Sequence, residues 1–139
     1  MADCCSGGTT LLYACSGAAD LGEISDMVAR RLRDEGFGRM TCLAAVGAEL
    51  SGFVQSAKGA DINITIDGCG TACARKNLER IGVTPNAYIL TDMGLVKGET
   101  PVTAKIVSEI CEKIKDPACA PSQSIPVIKS GGCGCGCGG

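Results

Sequence analysis

Histidine is absent from this chain, and so is tryptophan. The first absence removes Cys2His2 zinc sites, His-dependent catalytic triads and HExxH metalloprotease chemistry together. Any metal site is therefore built from thiolate, and any general acid or base is Asp, Glu, Lys, Tyr or Cys. Aromatic residues make up only 3% of the chain, so its core is aliphatic. No apolar run approaches the roughly 18 residues of a membrane span. No basic stripe exists either: 13 Lys and Arg face 15 Asp and Glu, which argues against nucleic acid as a partner. The opening "MADCCSGGTTLLYACSG" lacks a charged n-region, and "LLYAC" is too short for a secretory signal. The expectation is a cytoplasmic protein with reduced or ligated thiols and no membrane partner.

Cysteine is what the chain has in excess, eleven in 139 residues. The odd total precludes complete internal disulfide pairing. A chain of this length also buries an adequate core without disulfides.

Composition divides the chain into four parts. Residues 1–8 read as an arm carrying Cys4 and Cys5, and residues 9–116 as one α/β domain. Residues 117–132 form a linker or surface-packed segment, with "IPVIK" as an edge strand at best. Residues 133–139 form a Cys/Gly tail with Cys133, Cys135 and Cys137.

Within the domain, "TTLLYACSG" reads as a buried strand. Asp20 with Glu23 makes a capping-box pattern, and Leu21, Ile24, Met27, Val28 and Leu32 recur at helical spacing until Gly36 and Gly38. Arg30, Arg31 and Arg33 lie off that stripe and read as a solvated, carboxylate-paired face. "TCLAAVGAELSGFVQSAK" predicts one further helix, with Cys42 at its start on the inward side. "DINITIDG" is a second strand, and "CGTACARK" opens the helix that closes at Gly82. "NAYILTDMG" is a third strand. Thr100 and Pro101 then predict the start of a last helix, which carries a Glu109–Lys113 surface pair and ends at Pro117. Three strands alternating with helices predict a small, mainly parallel sheet in a three-layer α/β sandwich, Rossmann-like or flavodoxin-like.

In such sheets, sites form beyond the carboxyl ends of the strands, beside helix amino termini. Cys15 follows the first strand, Cys69 follows the second, Cys73 lies one helical turn beyond Cys69, and Cys42 opens another helix. These four thiols are expected to converge there as ligands of a soft metal. Helix amino termini, with Arg75 and Lys76 nearby, favour thiolate over thiol and offset the charge of a Cys4 centre. Zn(II) suits four thiolates, and so does an Fe–S cluster.

The same residues resemble the DGC-domain family, named for the tripeptide that here is Asp67-Gly68-Cys69. The likeness runs through "ACSG" (Ala14–Gly17), "CLAAVGA" (Cys42–Ala48), "IDGCGTACARK" (Ile66–Lys76) and "TDMG" (Thr91–Gly94). It implies zinc bound by four cysteines, best matched here by Cys15, Cys42, Cys69 and Cys73. It implies nothing for the arm or the tail.

A second template overlaps the first. Cys69 to Arg75 is a C-x5-R spacing, as in cysteine-dependent phosphatases and some arsenate reductases, with Asp92 in place as general acid. Lys76 stands where that template has Ser or Thr. A sulfur-transfer enzyme built on Cys69 belongs with this reading, and a structural zinc domain serving a partner protein is a third. The thiols of the arm and tail are expected to act as accessory soft-metal ligands, and a metal- or thiol-transfer protein is the expected partner.

Overall fold

A computed structural model describes residues 8–119. Four strands, β1 (Thr10–Ala14), β2 (Arg39–Met40), β3 (Ile62–Asp67) and β4 (Asn86–Ile89), form one parallel sheet in the order β2-β1-β3-β4. The helices are α1 (Asp20–Asp34), α2 (Leu43–Gly47), α3 (Ser51–Gly59), α4 (Cys73–Arg80) and α5 (Ala104–Lys115). A 3-10 turn, Leu90–Met93, follows β4. The three-layer α/β expectation holds, and the strand order is that of flavodoxin-like sheets with four strands.

Both faces of the sheet are covered, which is why its strands read as near-continuous apolar runs. Leu12, Ala14, Ile64, Ile66 and Tyr88 pack with Leu21, Ile24, Val28 and Leu32 of α1 and with Val107, Ile110 and Ile114 of α5. On the other face, Leu11 and Tyr13 pack with Val46, Ala57, Ala74 and Leu78 from α2, α3 and α4. Two buried polar side chains there pair, the Tyr13 hydroxyl donating to Asn63 Oδ1 (3.2 Å) and Asn63 Nδ2 to the Ala57 carbonyl (2.9 Å), whereas the buried Thr65 hydroxyl has no partner among the described residues. Because α1 leaves β1 towards one face and α4 leaves β3 towards the other, the chain splits between these neighbouring strands. A crevice opens there, at their carboxyl ends.

Several local expectations are corrected. The helix expected from Thr41 to Lys58 is two helices. Glu49 adopts φ 56°, Glu49 N–H donates to Val46 O, and Leu50 N–H donates back to Ala45 O (3.0 Å), a Schellman terminator. Cys42 is the residue before α2 and is exposed, not inward, because its extended backbone precedes the first helical turn. The helix expected from Cys69 begins at Cys73. The third strand ends at Ile89, and β2, only two residues long, has no periodicity to betray it. Asp20 does not cap its own helix in capping-box fashion; Ala19 holds the cap position. Thr103, not Thr100, caps α5, accepting from Ile106 N–H (3.3 Å). Lys113 donates to the Met93 carbonyl (3.2 Å), and Glu109 faces Lys105 at 3.9 Å. Among the described residues, no helix is long and apolar enough to cross a membrane.

Candidate functional site

The tripeptide Asp67-Gly68-Cys69 ends β3, and each of its residues has a separate task. The Asp67 side chain is buried and turns to the start of α4, accepting from Ala74 N–H (2.7 Å) and Arg75 N–H (3.1 Å). It fills the anion position that a helix amino terminus offers. Burial pushes its carboxyl pKa up, against the two amides and the nearby Arg75 and Lys76, which pull it down. Gly68 is held against α1: a Cβ there would stand 2.9 Å from the Leu21 carbonyl carbon. Its N–H donates to Cys15 Sγ (3.3 Å). Cys69 follows, on the loop that leads to α4.

Cys15 stands at the end of β1, its N–H donating to the Ile66 carbonyl (3.1 Å). Its sulfur lies 3.2 Å from Ser25 Oγ, and the Ser25 hydroxyl also donates to the Gly22 carbonyl (2.7 Å). The next residue, Ser16, has φ 50°, and Ala72, which precedes Cys73, has φ 52°. Left-handed backbone costs a non-glycine residue about 1–2 kcal/mol, and here it occurs beside two of the candidate thiols.

Cys15, Cys42 and Cys73 line one open cleft of about 890 Å³, shared with Asp26, Arg30, Arg33, Phe53 and Asn77. Arg30 pairs with Asp26 (2.6 Å) and Arg33 with Asp34 (2.8 Å), as expected of a carboxylate-paired face. Cys69 is not among the cleft's lining residues. Its sulfur sits 3.5 Å from Thr71 Oγ1 and accepts from Lys97 Nζ at 3.7 Å. The Thr71 hydroxyl and amide, with Lys97 assisting, hold its pKa below that of an ordinary thiol. The four expected ligands thus divide into three and one. Among the described residues, no group of three or more Cys, Asp or Glu side chains stands close enough to hold a metal ion. A closed, resident Cys4 centre does not fit these positions, although the thiol chemistry of the cleft suits a soft ion.

The enzyme template's parts are also dispersed. The Arg75 guanidinium pairs with Glu79 (2.7 Å), and its amide is engaged by Asp67. Asp92 lines a different cavity, with Tyr88, Lys113 and Cys119. Cys111 is a core residue whose burial raises its pKa to about 11. Cys4, Cys5, Cys133, Cys135 and Cys137 lie outside the described residues.

Sequence reasoning missed Asp67, Ser25 and Lys97. Asp67 carried a signal, an acid seven residues ahead of the amide it receives. Lys97, 28 residues beyond Cys69, carried none.

Comparison with known proteins identifies the family. The family model described as "DGC domain" matches residues 11–114. The "Anaerobic and virulence modulator AnvM" of Pseudomonas aeruginosa is 32% identical over 88 residues, covering 63% of this chain and 67% of that protein. No solved structure matches. With all four strands, every helix and both groups of thiols within or beside the matched span, the chain belongs to the DGC-domain family.

Proposed function

We propose that this domain takes a soft metal ion as cargo at the thiol-lined cleft, Zn(II) first among the candidates. Cys15, Cys42 and Cys73 are the ligands in this reading. The observation that carries it is their meeting along one cleft from three separate segments, the ends of β1 and β2 and the start of α4. A structural zinc site is closed by four converged ligands. Two exposed thiols and one half-buried thiol along an open cleft suit capture and release instead, with the remaining position left to an exchanging thiolate. The arm and tail cysteines, or a metal- or thiol-transfer protein, are the proposed sources of that thiolate. The same three thiols would accept other soft ions, and an Fe–S cluster remains the alternative cargo.

The phosphatase-like alternative has less support. Its oxyanion would need the first amides of α4, which Asp67 holds, and an arginine that here is bonded to Glu79.

Elemental analysis and absorption spectra of the full chain, purified without oxygen, test the proposal. Expected is about one zinc per chain in a colourless sample, with stoichiometry lost in Cys15→Ser, Cys42→Ser and Cys73→Ser. A chain that binds no soft ion, or whose binding ignores Cys42→Ser and Cys73→Ser, overturns it.

A further inference from the structure

We propose that the cargo of the cleft arrives as a complex with an acidic low-molecular-weight thiol, whose carboxylate is read by Arg30 and Arg33. The inference rests on the metal reading above and names the compound that first holds the position left open there.

Size is the first reason. A zinc ion lies about 2.3 Å from each of its sulfurs, so an ion with three thiolates fills a small part of the cleft. The cleft measures about 890 Å³, within the range of roughly 300–1,000 Å³ typical of sites for small organic molecules. The walls that carry no thiol are of two kinds. Met40, Leu43 and Phe53 form an apolar side, where Phe53 is left 37% exposed despite its size. Arg30 and Arg33 of α1 form a cationic side, and Asp26 is the one carboxylate among the lining residues. An ion alone uses neither side.

The arginines can accept a further anion. Arg30 reaches Asp26 through Nε (2.6 Å), and Asp26 has a second donor in the Ser16 hydroxyl (2.9 Å). Arg33 pairs with Asp34, which does not line the cleft. Each guanidinium has five N–H donors in a planar fork, more than one carboxylate uses. The two side chains are 55% and 45% exposed, so a carboxylate entering from solvent meets both. With two cations against one anion, the rim also attracts a negatively charged complex over a neutral one.

The three walls together ask for a compound with a soft donor at one end, a carboxylate at the other and a short apolar stem between. A soft ion selects sulfur as that donor. Loading is then ligand exchange with no change of oxidation state. Metal–sulfur bonds form to Cys15, Cys42 and Cys73 while all but one of the small thiolates leave, each taking its electron pair. Every cysteine gives up its proton, to a departing thiolate or to solvent. The retained thiolate stays until the exchange described above displaces it.

The test uses the full chain, reduced and metal-free, loaded with zinc in an equimolar mixture of reduced glutathione and its diethyl ester. The two share a thiol and differ in their carboxylates. Native mass spectrometry counts which one is retained. Expected is one zinc and one small thiol per chain, with the acid preferred at least about ten-fold. Arg30→Gln with Arg33→Gln should bring that preference close to one, while zinc binding in thiol-free buffer matches the parent chain. Alkylation of the buried Cys111 reports unfolding. Should the double variant unfold, the single substitutions replace it, and the parent's preference for the acid should also fall between roughly 0.05 and 0.5 M salt. Retention of no small thiol, equal retention of acid and ester, or a preference indifferent to both arginines overturns the proposal. Failure to bind zinc in thiol-free buffer overturns the metal reading and this one with it, whereas zinc bound without preference for the acid overturns this one alone.

Discussion

The strand-end edge holds two thiol regions only a few residues apart in sequence, since Cys69 and Cys73 share one loop-to-helix segment. In the cleft, Cys15, Cys42 and Cys73 share one open lining, bordered by ion-paired arginines. At the rim, Cys69 faces the Thr71 hydroxyl and the Lys97 ammonium. The cleft offers several sulfurs to one cargo, whereas the rim offers one sulfur made more acidic. What separates them is Asp67. By holding the start of α4 it sets Cys73 on the first helical turn and leaves Cys69 on the preceding loop.

Asp67→Ala should therefore break both regions at once. It leaves two amides at the α4 start without their acceptor, at a cost of about 3 kcal/mol or more in stability. Denaturant unfolding measures that loss, and a change below about 1 kcal/mol would remove Asp67 from its central place.

Acid should loosen the latch by which Asp20 holds the loop that carries Lys97. Gly98 N–H, with Leu21 and Thr100 N–H and Lys97, holds the Asp20 carboxyl below its ordinary pKa. A lowered folded-state pKa gives stability that is present above the unfolded value and lost as pH falls through the folded one. Acidification through that window should release the loop carrying Lys97, and because the Asp26 carboxyl at the cleft is likewise held low, chiefly by Arg30, a substitution at Asp20 is what isolates the latch. Hydrogen exchange at Gly98 and Thr100 reports it, and Asp20→Asn should show the same loosening at neutral pH. Protection that is unchanged in both conditions would mean that the latch is not what holds Lys97.

The smallest effect is expected where neither thiol region is touched. Glu49→Gly relieves a left-handed backbone at the end of α2 and should stabilise the domain by about 0.5–1 kcal/mol. Its thiol rates and metal stoichiometry should match the parent chain.

That position also shows what sequence could and could not reveal. Three helices end in the same way, with the third residue past the helix donating back across the last turn. Phe37 N–H reaches Leu32 O, Val83 N–H reaches Leu78 O, and Leu50 N–H reaches Ala45 O. Gly36 and Gly82 hold the left-handed position in the first two, and those helix ends are legible. Glu49 holds it in the third, so the apolar periodicity ran on and hid the break. The sheet was legible through its doubly buried strands, apart from β2, whose two residues pair with Leu11 and Leu12 only because the fold brings them there. Cys15, Cys42 and Cys73 were legible as a group because strand ends and helix starts gather at one edge. The separation of Cys69 was not, since it depends on a buried carboxylate and on a lysine delivered by a distant latched loop.

The division into three cleft thiols and one rim thiol is the central claim, and labelling each cysteine with and without bound zinc tests it most directly. With limiting iodoacetamide and peptide mass spectrometry, saturating zinc should suppress alkylation of Cys15, Cys42 and Cys73 while Cys69 continues to react at its metal-free rate. Protection of Cys69 together with the other three would contradict the division and restore a four-thiolate centre.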